Sequence, residues 1–220
     1  MTSDYLYLMI HIASFTFGPF EENTYILYDE TKECVIIDPG CQSIEEKNTL
    51  AHYIEEHKLK PVKLLLTHTH IDHILGNNFV CGKYNLKPEI NKLELPMLQN
   101  AKMIGDMYGI ATEPSPDAEV FLTEKDTVRF GNSELKILFI PGHSPGALCF
   151  YHSKEKFVIA GDVLFYESIG RTDLPGGDYA ALIKGIREKL FTLADDFKVY
   201  SGHGPSTTIG HEKKHNPFLT

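Results

Sequence analysis

The four cysteines, Cys34, Cys41, Cys81 and Cys149, contain no C-x-x-C pair and are too sparse for a disulfide framework, so a cysteine-built metal knot and an oxidised scaffold are both excluded. They read as small apolar side chains of a protein in a reducing compartment. Basic charge is also scarce. Against 21 Lys and Arg stand 30 Asp and Glu, a formal net charge of -9; with no cationic stretch, nucleic acid is excluded as the main partner. The apolar segment Tyr5 to Phe17 has no basic leader and no small-residue cleavage site. It is broken by His11 and ended by Gly18-Pro19, which excludes a signal peptide or a membrane span and leaves a strand. A cytoplasmic location without membrane partners is the expectation, and nothing in the chain speaks to its oligomeric state.

No fixed-period repeat, low-complexity tract or flexible linker divides the 220 residues, so a single domain over 1–220 is expected. Strand-like runs fall at Tyr7 to Phe17, Asn23 to Tyr28, Cys34 to Asp38 and Val62 to Thr67. Between the last two, Ser43-Ile-Glu-Glu46 has the form of a capping box, followed by Ile44, Leu50, Ala51 and Ile54 at helical spacing and closed by Lys60-Pro61. Leu93 to Tyr108 reads as helix interrupted at Pro96, unless that proline lies in the first turn. A second group of strands follows at Thr127 to Phe130, Leu135 to Ile140, Ala147 to Tyr151 and Phe157 to Ala160. A helix from Asp178 carries Leu182, Ile183, Ile186 and Leu190 on one face, and Lys198 to Tyr200 returns as a strand. Strands, helix, strands, helix, strand is an α/β pattern in two halves.

What the chain does have is His68-Thr-His70-Ile-Asp72-His73, placed directly after the apolar stretch Val62 to Leu66. Period-two geometry sets His68 and His70 on one side of an extended segment, and a following helical turn brings Asp72 and His73 round to the same pocket. Imidazoles and a carboxylate in this density suit zinc, iron or manganese. The alternative is a set of satisfied core histidines with Asp72 as a helix cap. Three further candidates stand where strands are expected to end, each beside glycine: His143 in Pro141-Gly-His-Ser-Pro-Gly146, Asp162 after Gly161, and His203 in Ser201-Gly-His-Gly-Pro205. Glycine permits the close backbone approach that a loop packed on a metal pocket needs. His11, His52, His57, His152, His211 and His215 have no ligand types nearby in sequence and are assigned no role.

With Thr67-His-Thr-His-Ile-Asp-His73, Pro141-Gly-His-Ser-Pro-Gly146, Gly161-Asp-Val-Leu-Phe165 and Gly202-His203 in hand, the chain resembles the metallo-β-lactamase superfamily, and within it the glyoxalase II (hydroxyacylglutathione hydrolase-like) group. The resemblance spans nearly the whole chain. It implies a four-layer αββα sandwich with the metal site at one edge between the two sheets. It also implies two divalent ions, zinc first with iron or manganese as alternatives. His68, His70 and His143 would hold one ion, Asp72, His73 and His203 the other, and Asp162 would bridge both. Asp72 and Asp162 would then flank a hydroxide shared by the two ions, and that hydroxide would attack the carbonyl of a small anionic thioester. A thiol of pKa about 8.5 leaves as thiolate without obligatory protonation, so no dedicated general acid is needed.

Arg171 falls where the longer glyoxalase II enzymes have a lysine that contacts glutathione, and it can bind a carboxylate bidentately; its other reading is a surface arginine paired with a nearby acid. Asp173 stands where those enzymes have a tyrosine, and Gly204-Pro205 replaces their acidic residue and tyrosine. The chain stops about where their C-terminal helical domain begins. The ending Gly202 to Leu219 and the stretch Gly170-Arg-Thr-Asp-Leu-Pro-Gly-Gly-Asp178 look instead like the short single-domain enzymes of bacteria. Persulfide dioxygenase, which uses one iron through the positions matching His68, His143 and Asp162, resembles the chain as well and is the alternative function.

Overall fold

The computed structural model describes residues 9–220; the part of the expected first strand that precedes residue 9 lies outside the described residues. In chain order the elements are β1 (His11–Phe17), β2 (Glu22–Tyr28), β3 (Glu33–Ile37), α1 (Ile44–Glu56), β4 (Lys60–Leu65), α2 (Asn77–Tyr84), β5 (Pro88–Ile90), α3 (Leu95–Gln99), α4 (Ala101–Tyr108), β6 (Val120–Phe121), β7 (Thr127–Phe130), β8 (Ser133–Phe139), β9 (Leu148–His152), β10 (Phe157–Gly161), β11 (Leu164–Phe165), β12 (Ser168–Ile169), α5 (Tyr179–Glu188), β13 (Lys198–Ser201), β14 (Thr207–Thr208) and α6 (Ile209–His215). Two six-stranded sheets form, ordered β1-β2-β3-β4-β5-β6 and β14-β13-β10-β9-β8-β7. Each mixes antiparallel and parallel pairs.

Alternation along the central strands explains why the sheets stack in layers, because a strand apolar at every position must be covered on both faces. On β2 and β3, Tyr25, Leu27, Val35 and Ile37 point to the second sheet, where they meet Leu135, Ile137, Phe150, Phe157 and Ile159. Their neighbours Ile26, Tyr28, Cys34 and Ile36 point outward onto Leu50 and Ile54 of α1, Val80 of α2 and Leu98 of α3. The second sheet repeats the device: Cys149, Val158, Ala160 and Val199 face Leu182 and Ile186 of α5 and Ile209 of α6. Three apolar cores between four layers make the expected αββα sandwich. All four cysteines are free and buried within them. Among the described residues, no helix is long and apolar enough to cross a membrane.

The capping box of α1 is present, with Ser43 and Glu46 each bonding the other's backbone. The end of that helix differs from the expectation. It stops at Glu56 because Lys58 adopts a left-handed conformation and the Leu59 amide bonds back to Ile54 O at 2.8 Å. Lys60 and Pro61 therefore open β4 instead of closing the helix. Pro61 has no amide to give the ladder, and the register with β3 slips beside it, between Cys34 and Val35. Ile44, expected on the apolar face, is 72% exposed at the first position. Pro96 lies in the first turn of α3, and the expected 93–108 helix breaks at Asn100 into α3 and α4.

The end of the sandwich remote from the expected metal site is tied by one buried carboxylate. Asp29, in the β2–β3 turn, accepts from Thr31 N (3.0 Å) and, across the sheets, from Asn132 N and Ser133 Oγ (both 2.8 Å) in the β7–β8 turn. Burial pushes the Asp29 pKa up, but the bonds from Thr31, Ser133 and Asn132 outweigh it and hold the carboxyl below its ordinary value. Asp29→Ala should cost about 1–3 kcal/mol, read as a lowered urea midpoint. Because the folded pKa is depressed, the ionic part of this contribution is full above about pH 4 and is lost as pH falls through the folded value. The gap between parent and variant should narrow in acid; a gap that widens there would contradict the assignment.

Candidate metal centre

Loops at the carboxyl ends of β4, β8, β10 and β13 converge on one edge of the sandwich, between the sheets. His68 and His70 lie in the loop after β4, Asp72 and His73 on the single 3-10 turn Ile71–Ile74, His143 after β8, Asp162 directly after β10 and His203 after β13. Two groups form, His68 with His70 and His143, and Asp72 with His73 and His203, and a third, Asp38 with His68 and His73, overlaps both; within each, the ligand atoms lie within 4.8 Å of one another. The expected helical turn after His70 is thus a 3-10 turn, and no side chain caps it.

In the first group His143 Nε2 is 2.8 Å from His70 Nδ1 and 3.2 Å from His68 Nε2. In the second, Asp72 Oδ2 is 3.1 Å from His203 Nε2 and 3.7 Å from His73 Nε2. Asp162 stands between them. Its Oδ1 is 3.4 Å from His73 Nε2, while Oδ2 is 3.4 Å from His143 Nε2 and 3.5 Å from His203 Nε2. All seven side chains singled out from the sequence are therefore in one cluster.

The outward-facing ring nitrogens decide what the inward ones can do. His143 Nδ1 faces Arg171 O at 2.8 Å, His203 Nδ1 faces Phe20 O at 3.0 Å and His73 Nδ1 faces Asp38 Oδ2 at 3.1 Å. These oxygens only accept, so each Nδ1 carries the proton. His68 Nδ1 meets Thr67 Oγ1 at 3.1 Å, and that hydroxyl donates to Asp38 Oδ2, so it accepts from His68 as well. In their neutral form the rings at these four positions aim Nε2 lone pairs inward, and Nε2 of His68 and His143 lie 3.2 Å apart. Such a set requires positive charge at its centre. His73 Nε2 and Asp162 Oδ1 are buried with no hydrogen-bond partner at all, as a metal's donors would be before it binds.

Charge states agree with the geometry. Burial and the surrounding imidazoles hold His68 well below the usual histidine range, and burial brings His70 to about 3 and lowers His143 despite Asp162. Those three rings stay neutral, the form in which imidazole ligates. At His73 and His203 burial acts the same way, but Asp162 and Asp72 overcome it and raise both. Burial pushes Asp72 and Asp162 up, yet the cationic His73 wins at both and keeps them ionised.

Glycine supplies the space. A Cβ on Gly202 would overlap Asp162 Oδ1 and come within 2.8 Å of His73 Cε1, and one on Gly170 would overlap Asp162 O and press on His143 Cγ at 3.0 Å. Three supporting residues carry no motif and escaped the sequence reading. Asp38 orients His73 and Thr67. Glu94, buried, accepts from Thr69 N at 2.8 Å and from Gly146 N at 2.6 Å, clamping the β4 loop to the His143 loop. Glu22 lies fully buried with Oε1 3.8 Å from His73 Nδ1, and burial raises its pKa well above the carboxylate range. Pairing at a distance in sequence is the only signal these three have.

The cluster forms the floor of a cleft of about 940 Å³, lined among others by His70, Asp72, His143, Asp162 and His203. Arg171 lines it too, but its guanidinium grips Asp173 at 2.8 and 2.7 Å. The six histidines assigned no role lie outside all three groups.

Comparison with known proteins meets this geometry. The family profile described as Metallo-beta-lactamase superfamily matches residues 17–203. The chain is 39% identical over 204 residues to "Probable metallo-hydrolase YqgX" of Bacillus subtilis, covering 92% of this chain and 94% of that one. It is 36% identical over 209 residues to "Hydroxyacylglutathione hydrolase GloC" of Haemophilus influenzae, covering 91% and 93%. Among solved structures it is similar to BLEG-1 B3 metallo-beta-lactamase (TM-score 0.86, 36% identity, 96% of this chain and 100% of that one) and to TTHA1623 in a di-iron-bound form (0.85, 35%, 94% and 100%). Sandwich, histidine-aspartate cluster and relatives of matching length agree, and the chain belongs to the metallo-β-lactamase superfamily.

Proposed function

We propose that this protein is a binuclear metal-dependent hydrolase of acyl thioesters, similar in chemistry to hydroxyacylglutathione hydrolase. The observation that carries the reading is Asp162, whose two oxygens face the two halves of the cluster at 3.4 Å each, His73 on one side and His143 on the other. In that position the carboxylate can be shared between two ions, one in each half of the cluster. His68, His70 and His143 would hold one ion, Asp72, His73 and His203 the second, with Asp162 shared. When bound, divalent ions, zinc first with iron or manganese as alternatives, supply Lewis-acid polarisation of a carbonyl and lower the pKa of a coordinated water to about 7.

The remaining work falls to the chain. Asp38, Thr67, Phe20 O and Arg171 O fix the four imidazole tautomers, so that donors are aimed before any ligand arrives. Glu94 sets the spacing of the two histidine loops. The cleft brings a reacting carbonyl over Asp72, Asp162 and His203 with no lysine in its lining to protonate a leaving group. A thioester tolerates this, since its thiol of pKa about 8.5 departs as thiolate; an amide has no such exit. Similarity to the hydroxyacylglutathione hydrolase GloC of Haemophilus influenzae supports the same reading.

Elemental analysis of purified protein should give two divalent ions per chain, with turnover of S-D-lactoylglutathione or a simpler acyl thioester, and His68→Ala should lose metal and turnover together. One iron per chain, with oxygen uptake on glutathione persulfide and no thioester turnover, would replace the hydrolase by the dioxygenase reading. Asp38→Asn places an amide nitrogen against His73 Nδ1 and forces the other tautomer. Metal affinity, measured by chelator competition, should fall about 10–100-fold; an unchanged affinity would remove Asp38 from the machinery.

A further inference from the structure

The cleft beside the cluster is built almost without charge. Apart from the clustered histidines and aspartates of its floor, Arg171 is the one charged side chain that lines it among the described residues, and Asp173 already occupies that guanidinium through two hydrogen bonds. A thiol carrier with two carboxylates has no second cation to meet. The walls are apolar instead. Met97, Met103, Met107, Phe165, Ile169 and Leu174 are among the residues that line them, and Asn100, Tyr108 and Ser168 add uncharged polar groups.

Although Ile104 of α4 packs on the first core, the helix also shows large apolar side chains that an ordinary surface helix would bury. Its buried residues are the small ones, Ala101 and Gly105, and a Cβ on Gly105 would press into Thr112, so this face sits tight against the chain. Met103 and Met107, one helical turn apart, are 56% and 78% exposed. A helix that buries glycine and shows methionine gains nothing in stability from the methionines. Flexible thioether side chains fit themselves to apolar ligands of varied shape, and a cleft of about 940 Å³ is at the upper end of the range for small-molecule sites. Two turns of helix extend about 11 Å, enough for several methylenes leading away from the cluster.

We infer that this cleft takes an apolar chain along the methionine face of α4, so that the substrate is an acyl thioester with an extended hydrocarbon acyl group. The assignment rests on the thioester reading above and names the substrate class of that same site. Removing each methylene from water should raise kcat/KM, with full burial worth about three- to fourfold per methylene.

The test uses the full metal-loaded chain with acetyl and octanoyl thioesters of N-acetylcysteamine, a small neutral carrier, beside S-D-lactoylglutathione. Octanoyl should exceed acetyl in kcat/KM by at least about tenfold. Met103→Glu with Met107→Glu should abolish most of that advantage and leave acetyl turnover within about twofold. Equal rates across chain lengths, a preference for lactoylglutathione over octanoyl, or equal losses on both acyl groups would overturn the inference while leaving thioester hydrolysis standing. A second readout does not depend on turnover. With the five methionines labelled as [ε-13C]Met, the octyl thioether of N-acetylcysteamine should shift the Met103 and Met107 methyl signals and the methyl thioether should not. Those shifts in a protein that hydrolyses none of the three thioesters would sink the hydrolase reading and support the apolar-chain site. No shift with the octyl compound, or shifts that follow protein concentration alone and report a second copy on this face, would overturn it.

Discussion

Lone pairs aimed into one shared space are the constraint around which this protein is arranged. The rings of His68, His73, His143 and His203 each commit Nδ1 to an oxygen outside the cluster. Their Nε2 atoms are thereby turned inward onto a space shared with two carboxylates. Only positive charge relieves that arrangement. Protons do so in part, at His73 and His203, whose pKa values are raised by Asp162 and Asp72 once the cost of burial is met. Metal ions do so without leaving His73 Nε2 and Asp162 Oδ1 orphaned.

Holding such a cluster together requires a frame that does not yield. Parallel neighbours provide it, since β4 and β3 in one sheet and β10 and β13 in the other deliver their carboxyl ends to the same edge. Cross-links then join the sheets there: Leu148 N donates to Thr67 O at 2.8 Å, Asn23 N to Gly202 O at 2.7 Å and Tyr25 Oη to Ser201 O at 2.6 Å. Every bond in this set ends on a residue adjacent, or nearly so, to a cluster residue. The apolar layers supply rigidity, and the seam bonds convert it into placement of side chains.

The seven cluster residues were legible because ligation demands rare residue types beside strand ends and glycine, a local signature. The strands around them were legible as short apolar runs, with boundaries within a few residues. What escaped depends on partners far away in sequence. Asp38 looks like the end of a strand until Thr67 and His73 are brought to it, and Glu94 looks like a solvated charge on an amphipathic segment until Thr69 and Gly146 close on it. Short elements such as β5, β6 and β14 carry too few residues for any periodicity. Arg171 illustrates the reverse case: its place at the cleft was readable, while the hold of Asp173 on it is a matter of geometry.

Glu94 also marks a frontier. Its carboxylate pins the two histidine loops, and the next residue begins α3, the first part of the helical wall over the cleft. Anchor and wall are thereby adjacent in the chain. Downstream of Glu94, α3 and α4 bring Met97, Met103 and Met107 to the cleft while Leu98 and Ala101 hold them on the first apolar core. A ligand lying on that wall therefore presses on the same packed layer that carries the histidine loops.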